Sequence, residues 1–157
     1  MPFTVVVPTP VGPLTVTGGE AVHTACFVDG TPTGGDPLGV REALEAWMAG
    51  DDTLARRVPL DLEGTLFQKR VWEAVRAVPW GRTASYGAIA DALGSVARAV
   101  GGANGANPAA LFVPCHRVIG GDGSLTGYAG GIERKRWLLD HERGAPPLLM
   151  GRSGTPG

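Results

Sequence analysis

The chain has 157 residues, of which 43% are hydrophobic and 18% are charged, and its net charge is −1. This balance fits one globular domain or two small ones and excludes a disordered protein, because enough apolar side chains are present to bury a core. No apolar run has the length of a transmembrane helix, and the first ten residues do not resemble a signal peptide. We therefore expect a cytoplasmic protein with no membrane partner, whose two cysteines, Cys26 and Cys115, are free thiols.

The two halves of the chain differ in charge. Residues 1–63 contain three arginines and no lysine against nine acidic residues, which gives a net charge of −6. Residues 64–157 contain eleven basic residues against six acidic ones, which gives +5. This asymmetry indicates that the second half binds a polyanion, with an unevenly charged but merely solvated surface as the alternative.

The first half predicts a small α+β unit. Three short β-rich runs are separated by Pro and Gly turns, at residues 4–7, 14–17 and 22–28. Apolar residues from Leu38 to Trp47 then recur at helical spacing, and Gly50 closes that helix. The sequence "VPLDL" at 58–62 is compatible with one more strand.

The second half begins with a strong helix-start signal. Thr65 and Gln68 form a T-x-x-Q capping box, and an apolar stripe from Phe67 to Val78 follows as far as Pro79. A loop then leads to Ser85, which can cap the next helix.

Two short helices joined by a glycine-containing turn follow this loop. "YGAIADAL" (86–93) ends at Gly94, and Ser95 can cap "VARAVGGAN" (96–104). The pair is typical of a helix-turn-helix, although many helical pairs bind nothing. The second helix carries Arg98 as its only long polar side chain, which favours approach to a DNA backbone or a narrow minor groove over readout of major-groove bases. Close packing of its small residues inside the core is the alternative.

The sequence "LFVPCHRVIGGDG" (111–123) places Cys115 beside His116, before a glycine-rich turn. A free thiol is mostly protonated at neutral pH, so a neighbouring base is typical of a reactive cysteine. One alternative is a hydrolase pair, although hydrolases usually bring the base from a distant segment. The other is a metal site that includes His141, but the Cys and His residues are scattered without finger-like spacing, so we predict no metal and no cofactor.

Several segments together resemble the O6-alkylguanine-DNA alkyltransferases in order and spacing: "GTLFQKRVW", "VPWGRTASYGAIA", "RAVGGAN", "VPCHRVIG", "LTGYAGG" and "KRWLLDHE". The resemblance covers residues 64–142, and the first half is similar to that family's N-terminal domain. It implies an α+β fold with a small N-terminal domain of a three-stranded sheet plus helix (1–63). A mostly helical C-terminal domain with the helix-turn-helix and an active-site loop would follow (64–145). The last residues (146–157) have no apolar periodicity, so we expect them to form a flexible tail.

The resemblance also implies roles for individual residues. Cys115 would accept the alkyl group, His116 would activate it through a water, and Glu142 would orient the histidine. Arg98 would replace the extruded nucleotide in the base stack, and Tyr86 would press the phosphate and reach the guanine.

Further residues would support the DNA and guanine sites. Asn107 would tie the recognition helix to the active-site segment. Lys135 would support the pocket for guanine. The guanine pocket would be lined by Val118, Tyr128 and the backbone near Ala129. The DNA-binding residues of the recognition helix would include the small residues Ala97, Ala99 and Gly101.

The implied function is DNA repair by direct, irreversible transfer of an alkyl group from O6-alkylguanine in double-stranded DNA to Cys115, after nucleotide flipping from the minor-groove side. O4-alkylthymine is a second candidate substrate. Water does not hydrolyse a thioether, so each chain should act once. We expect a monomer, with cooperative DNA binding left open. The rival interpretation is a binding protein that flags alkylguanine without repairing it, but in such proteins the acceptor cysteine is replaced.

The chain departs from the family pattern in two places. The turn "LGSVARAV" is about two residues shorter than usual and lacks a proline, so only twelve positions separate Tyr86 from Arg98. We expect either that the Tyr86 helix loses its last half-turn or that the turn is tighter. Ala129 stands where some relatives carry serine, which removes one hydroxyl donor to the guanine.

Overall fold

A three-stranded antiparallel sheet forms the beginning of the fold. The computed structural model describes residues 2–125, 127–128 and 130–144. Strands β1 (Phe3–Val7), β2 (Leu14–Gly18) and β3 (Val22–Cys26) lie in the order β1-β2-β3. Every second residue of β1 is buried, as expected for a strand with one face on the core. The first two predicted strands are confirmed, whereas the third ends two residues earlier because the Val28 N–H donates to the Cys26 carbonyl in a turn (2.9 Å).

The predicted helix of the first half is confirmed as α1 (Val40–Met48), which contacts β1 and buries Leu44 and Trp47. Its start is fixed by Asp36, whose carboxylate accepts the first free N–H groups of the helix, at 2.8 and 2.9 Å. A short second helix, α2 (Thr53–Arg57), had not been predicted because its five residues are too few for an apolar stripe.

The predicted strand at 58–62 is wrong. Only Leu60 forms a single parallel bridge with Val22, and the chain passes β3 without continuing along it. Pro59 supplies a carbonyl to this contact but has no N–H to donate, which limits any ladder there.

The second half is mostly helical. Helix α3 (Leu66–Arg76) begins with the predicted capping box, in which the Thr65 side chain accepts from the Gln68 N–H and the Gln68 side chain accepts from the Thr65 N–H. A short parallel pair joins β4 (Ala84–Ser85) to β5 (Val118–Ile119). The other elements are α4 (Tyr86–Leu93), α5 (Ala97–Gly105), a 3-10 turn (Cys115–Arg117) and α6 (Ile132–Glu142).

The short turn of the helix-turn-helix is tight and leaves α4 intact. Gly94 adopts a left-handed conformation (φ 67°), and the Ser95 N–H donates to the Ala90 carbonyl at 2.8 Å, which is the Schellman pattern. The expectation of a lost half-turn is therefore wrong, and the tighter turn is the one found. The predicted cap at Ser95 is also wrong: Val96 occupies the N-cap position of α5, with no side-chain hydrogen bond.

The two halves of the chain pack against each other through backbone and side-chain bonds. Ala25 in β3 pairs with the segment after α5, donating to the Pro108 carbonyl at 2.8 Å. Arg134 in α6 donates twice to the Val11 carbonyl, at 2.9 and 2.7 Å, and its guanidinium lies 4.5 Å from the centre of the Phe27 ring. An α+β fold is thereby confirmed, while the domain boundaries at 63 and 145 stay predictions.

Two further sequence expectations concern the C-terminal tail and membrane-spanning helices. The predicted tail at 146–157 lies outside the described residues. Among the described residues, no helix is both long and apolar enough to span a membrane.

We predict that R134M weakens the packing between the halves. The variant removes the guanidinium donors from the Val11 and Gly130 carbonyls, and hydrogen bonds from charged groups contribute about 1.5–3 kcal/mol each at most. The free energy of unfolding in urea should fall by about 1–3 kcal/mol. R136M is the matched control, because Arg136 lies on the same helix but is exposed. Equal losses in the two variants would contradict the prediction.

Candidate active site

Cys115 lies in a buried turn whose backbone carbonyls accept hydrogen bonds from asparagine side chains at the end of α5 and just after it. Its side chain is 8% exposed, and its N–H donates to the Val113 carbonyl at 2.7 Å. Asn107 donates its amide N–H to the same Val113 carbonyl at 2.9 Å. Asn104, one turn earlier, donates to the Cys115 carbonyl at 3.2 Å. The backbone around the thiol is therefore fixed by side chains at the end of α5.

The environment of the thiol keeps it protonated at rest. Burial raises the pKa of Cys115 above its usual value, and a hydrogen bond with Asn107 and the positive charge of Lys135 offset only part of this effect. A buried thiol of this kind needs a base before it can act as a nucleophile.

His116, the next residue in the chain, is a buried imidazole that is neutral in the folded protein. Its Nε2 lies 2.7 Å from Oε2 of Glu142, and both side chains are buried. Burial lowers the pKa of His116, and the hydrogen bond and charge of Glu142 offset only part of this effect. An ionised Glu142 requires that Nε2 carries the proton, so Nδ1 has a free lone pair. Nδ1 has no hydrogen-bond partner within the described part of the chain.

Arg117 holds the carboxylate of Glu142 in its charged form. Its Nε and Nη2 donate to Oε1 and Oε2 of Glu142, both at 2.8 Å, while Nη1 donates to the Val78 carbonyl at 2.7 Å. Although burial acts to raise the pKa of Glu142, the hydrogen bonds from His116 and Arg117 outweigh it and lower the pKa. Asp52, from the first half, lies 3.5 Å from Nη2. Glu142 is therefore ionised and fixed in place.

Sequence reasoning missed Arg117 and the contribution of the first half. The arginine lies between apolar residues in "CHRVI" and is 1% exposed, and a buried arginine requires a buried acid. The position of Arg117 between apolar residues was therefore the signal that could have indicated a buried acidic partner. Trp47 in α1 packs its ring 5.9 Å from that of His116 at an angle of 76°, a contact that no local pattern indicates. The first half therefore forms one wall around the histidine.

A cavity of about 190 Å³ lies in front of Cys115. Tyr128, Asn104 and Asn107 line it from the second half, and Phe27 and Val28 line it from the first. Burial raises the pKa of Tyr128 well above its usual value, so the phenol stays protonated. Its hydroxyl is close enough to affect the thiol's pKa but makes no hydrogen bond of acceptable geometry within the described residues.

Two residues predicted at the guanine pocket, Val118 and Lys135, are hydrogen-bonded to each other and do not line the cavity. Val118 is fully buried and does not line the cavity, but its carbonyl accepts a 2.7 Å hydrogen bond from the Lys135 ammonium. Burial lowers the pKa of Lys135, whose ammonium lies 5.8 Å from the centre of the Tyr86 ring. Ala129 lies outside the described residues.

An open groove adjoins the cavity through Tyr128. The groove measures about 610 Å³ and is lined by the predicted DNA-facing residues Tyr86, Ala97, Arg98 and Gly101, but not by Ala99. Gly101 faces the Tyr86 ring, and a Cβ at this position would lie 3.9 Å from the ring, in ordinary van der Waals contact. The short turn therefore still brings Tyr86 and Arg98 to one surface.

Comparison with known proteins agrees with this arrangement. Residues 66–144 match the family model described as 6-O-methylguanine DNA methyltransferase, DNA binding domain. A methylated-DNA–protein-cysteine methyltransferase of Mycobacterium tuberculosis (strain ATCC 25618 / H37Rv) is 49% identical over 150 residues, which span 88% of this chain and 90% of that protein. This chain belongs to the methylated-DNA–protein-cysteine methyltransferase family.

Solved structures of the family share the whole fold. A crystal structure of the M. tuberculosis O6-methylguanine methyltransferase has a TM-score of 0.80 and 43% identity, covering 98% of this chain and all (100%) of that one. A crystal structure of M. tuberculosis OGT in complex with DNA has the same TM-score of 0.80, with 46% identity over 90% of this chain and 93% of that one. The resemblance found in the sequence is thereby confirmed, and membership in the methyltransferase family identifies the chain as a DNA-binding repair methyltransferase.

We predict that acid weakens the fold through His116. Below its ordinary pKa of 6.5, the unfolded chain protonates this imidazole but the folded chain does not, so unfolding takes up a proton and stability falls as pH falls. The slope is at most about 1.4 kcal/mol per pH unit. Glu142 adds its own loss only as pH falls through its lowered pKa, below 4.5. Urea unfolding between about pH 7.5 and pH 5.5 therefore separates the effect of histidine protonation from that of Glu142.

The matched variants are H116N, which cannot titrate, and H23N, which removes an exposed histidine. H116N should be less dependent on pH than the wild type, whereas H23N should keep the wild-type slope. A wild-type slope in H116N would contradict the prediction.

Proposed function

We propose that this chain repairs DNA by accepting the alkyl group of O6-alkylguanine on Cys115, once per molecule. The observation that carries the proposal is a buried Cys115 at the wall of a cavity, followed in the chain by a buried, neutral His116 that is hydrogen-bonded to the ionised Glu142. Cytoplasmic location, the monomeric state and the repair of O4-alkylthymine stay predictions.

The reaction is a single displacement at the alkyl carbon. The Cys115 thiol gives its proton to Nδ1 of His116, directly or through a water, and the Glu142 carboxylate stabilises the imidazolium that forms. The sulfur then forms a bond with the alkyl carbon while the bond from that carbon to O6 breaks. The electron pair leaves with the purine, which takes up a proton and becomes guanine. The product is a thioether that water does not cleave, so the cysteine is not regenerated.

The groove supports the proposal that a flipped nucleotide reaches this cavity. Its floor is made of small residues of α5, which allow close approach to a DNA backbone, and Arg98 is exposed at its edge. A base within a duplex is out of reach of a buried thiol, so the nucleotide must leave the stack at a cost of a few kcal/mol. Arg98 would fill the gap and recover part of this cost, and the net charge of +5 in the second half favours phosphate contact.

The transfer is tested by intact-mass spectrometry after mixing the protein with duplex DNA that contains one O6-methylguanine. The mass should rise by one methyl group in place of one thiol hydrogen, and should not rise further with excess DNA. C115A should gain nothing, whereas C26A, which removes the other free cysteine, should still gain one methyl. Tight binding to the lesion without any gain would contradict transfer and support a sensor.

The flipping role of Arg98 is tested with R98A. On duplex DNA, transfer should slow by roughly 10- to 100-fold, because the cost of unstacking is no longer offset. On a single strand with the same lesion the loss of rate should be much smaller, because the nucleotide is not paired with a second strand and flipping costs less. R57A removes an exposed arginine of α2 as the matched control for charge and should behave as the wild type. Equal losses on the two substrates would instead indicate a phosphate contact alone.

A further inference from the structure

Asn104 has a buried side-chain oxygen that forms no hydrogen bond with any residue that the structure describes. The side chain is 2% exposed, at the end of α5, and its Nδ2 donates to the Cys115 carbonyl at 3.2 Å. That bond fixes which end of the carboxamide carries the nitrogen. The remaining atom, Oδ1, has no hydrogen-bond partner within the described residues. Buried polar atoms are nearly always paired, so an unpaired one beside a reactive thiol suggests a partner that comes with the substrate.

Two other polar side chains line the cavity near Asn104. The amide of Asn107 already has hydrogen-bond partners, and the hydroxyl of Tyr128 can donate as well as accept. Asn107 uses both ends of its amide, donating to the Val113 carbonyl and accepting from the Ala109 N–H, each at 2.9 Å. The Tyr128 hydroxyl has no partner either, but a hydroxyl can donate as well as accept. Oδ1 of Asn104 can only accept. The wall of the cavity therefore offers one position that requires an N–H or O–H donor.

The chemistry of the substrate identifies that donor. In guanine alkylated at O6, N1 has lost its hydrogen, and N3 and N7 carry none. The exocyclic amine at C2 is the sole N–H group of the base. We infer that Oδ1 of Asn104 accepts a hydrogen bond from this amine when the flipped base enters the cavity. The inference rests on the proposed function and makes Asn104 a specificity-determining residue for guanine.

The same chemistry predicts selection against alkylated thymine. A thymine alkylated at O4 has lost the hydrogen on N3, and its N1 is bonded to the sugar, so it offers no N–H donor. Such a base would leave Oδ1 unpaired inside the cavity, whereas alkylguanine pairs it. A site that contains a buried group meant for a hydrogen bond discriminates strongly against a ligand that lacks the partner. Asn104 therefore favours alkylguanine over alkylthymine.

The test compares two lesions that differ only in the amine. Single-turnover transfer is measured with duplexes that contain either O6-methylguanine or O6-methylhypoxanthine, under conditions in which rate reports binding and chemistry together. The wild type should react roughly 10- to 100-fold more slowly with the hypoxanthine lesion. In N104L, which keeps a similar volume without polar atoms, the two lesions should react at similar rates.

Comparing lesions separates recognition from support of the backbone. N104L also loses the hydrogen bond to the Cys115 carbonyl, but that loss affects both lesions equally and cancels in their ratio. N104A is the second variant in case leucine disturbs packing, and thermal unfolding checks that each variant folds. Equal wild-type rates with the two lesions would overturn the inference. So would a wild-type ratio that persists in both variants, because the amine would then be bound elsewhere. Absence of any wild-type transfer from O6-methylguanine would contradict the proposed function itself.

Discussion

The buried carboxylate of Glu142 is the group on which the rest of the site depends. It accepts hydrogen bonds from His116 and Arg117 at 2.7–2.8 Å, and all three side chains are almost fully buried. A charge in such a place is tolerated only when it is paired and hydrogen-bonded. Arg117 provides this pairing and also contacts Val78 and Asp52, so one ionic cluster joins α6, the end of α3 and the first half of the chain. The orientation of the histidine thus depends on packing throughout the molecule.

Burial also controls when the thiol becomes reactive. It raises the pKa of Cys115 and lowers that of His116, so both groups are neutral at rest. The proposed proton transfer between them would create two charges, and Glu142 lies where it would stabilise the positive one. The adjoining groove, by contrast, is open, as a surface that meets a duplex must be.

Local patterns predicted local structure well. The capping box at Thr65 and the glycine that ends α4 act within a few residues, and both are found as expected. The errors lie where longer-range effects decide. Ser95 is a good capping residue, but it belongs to the tight turn that ends α4, and Val96 takes the N-cap position of the next helix. The apolar run at 58–62 packs beside β3 at a single bridge, because neighbouring structure rather than propensity sets strand pairing.

The sequence by itself determined most of the longer helices and the first two strands, the adjacent pair Cys115–His116 and, through resemblance, the family with the residues expected to act on DNA. Only the tertiary structure decided that Glu142 and Arg117 form a buried ion pair and that the Trp47 ring of the first half packs against His116. It also decided that Asn104 Oδ1, near Cys115, has no partner within the described part of the chain. The physical reason is the distance along the chain over which each effect acts. Periodicity and capping act between residues a few positions apart, whereas the environment and pKa of a buried group depend on segments brought together only by folding.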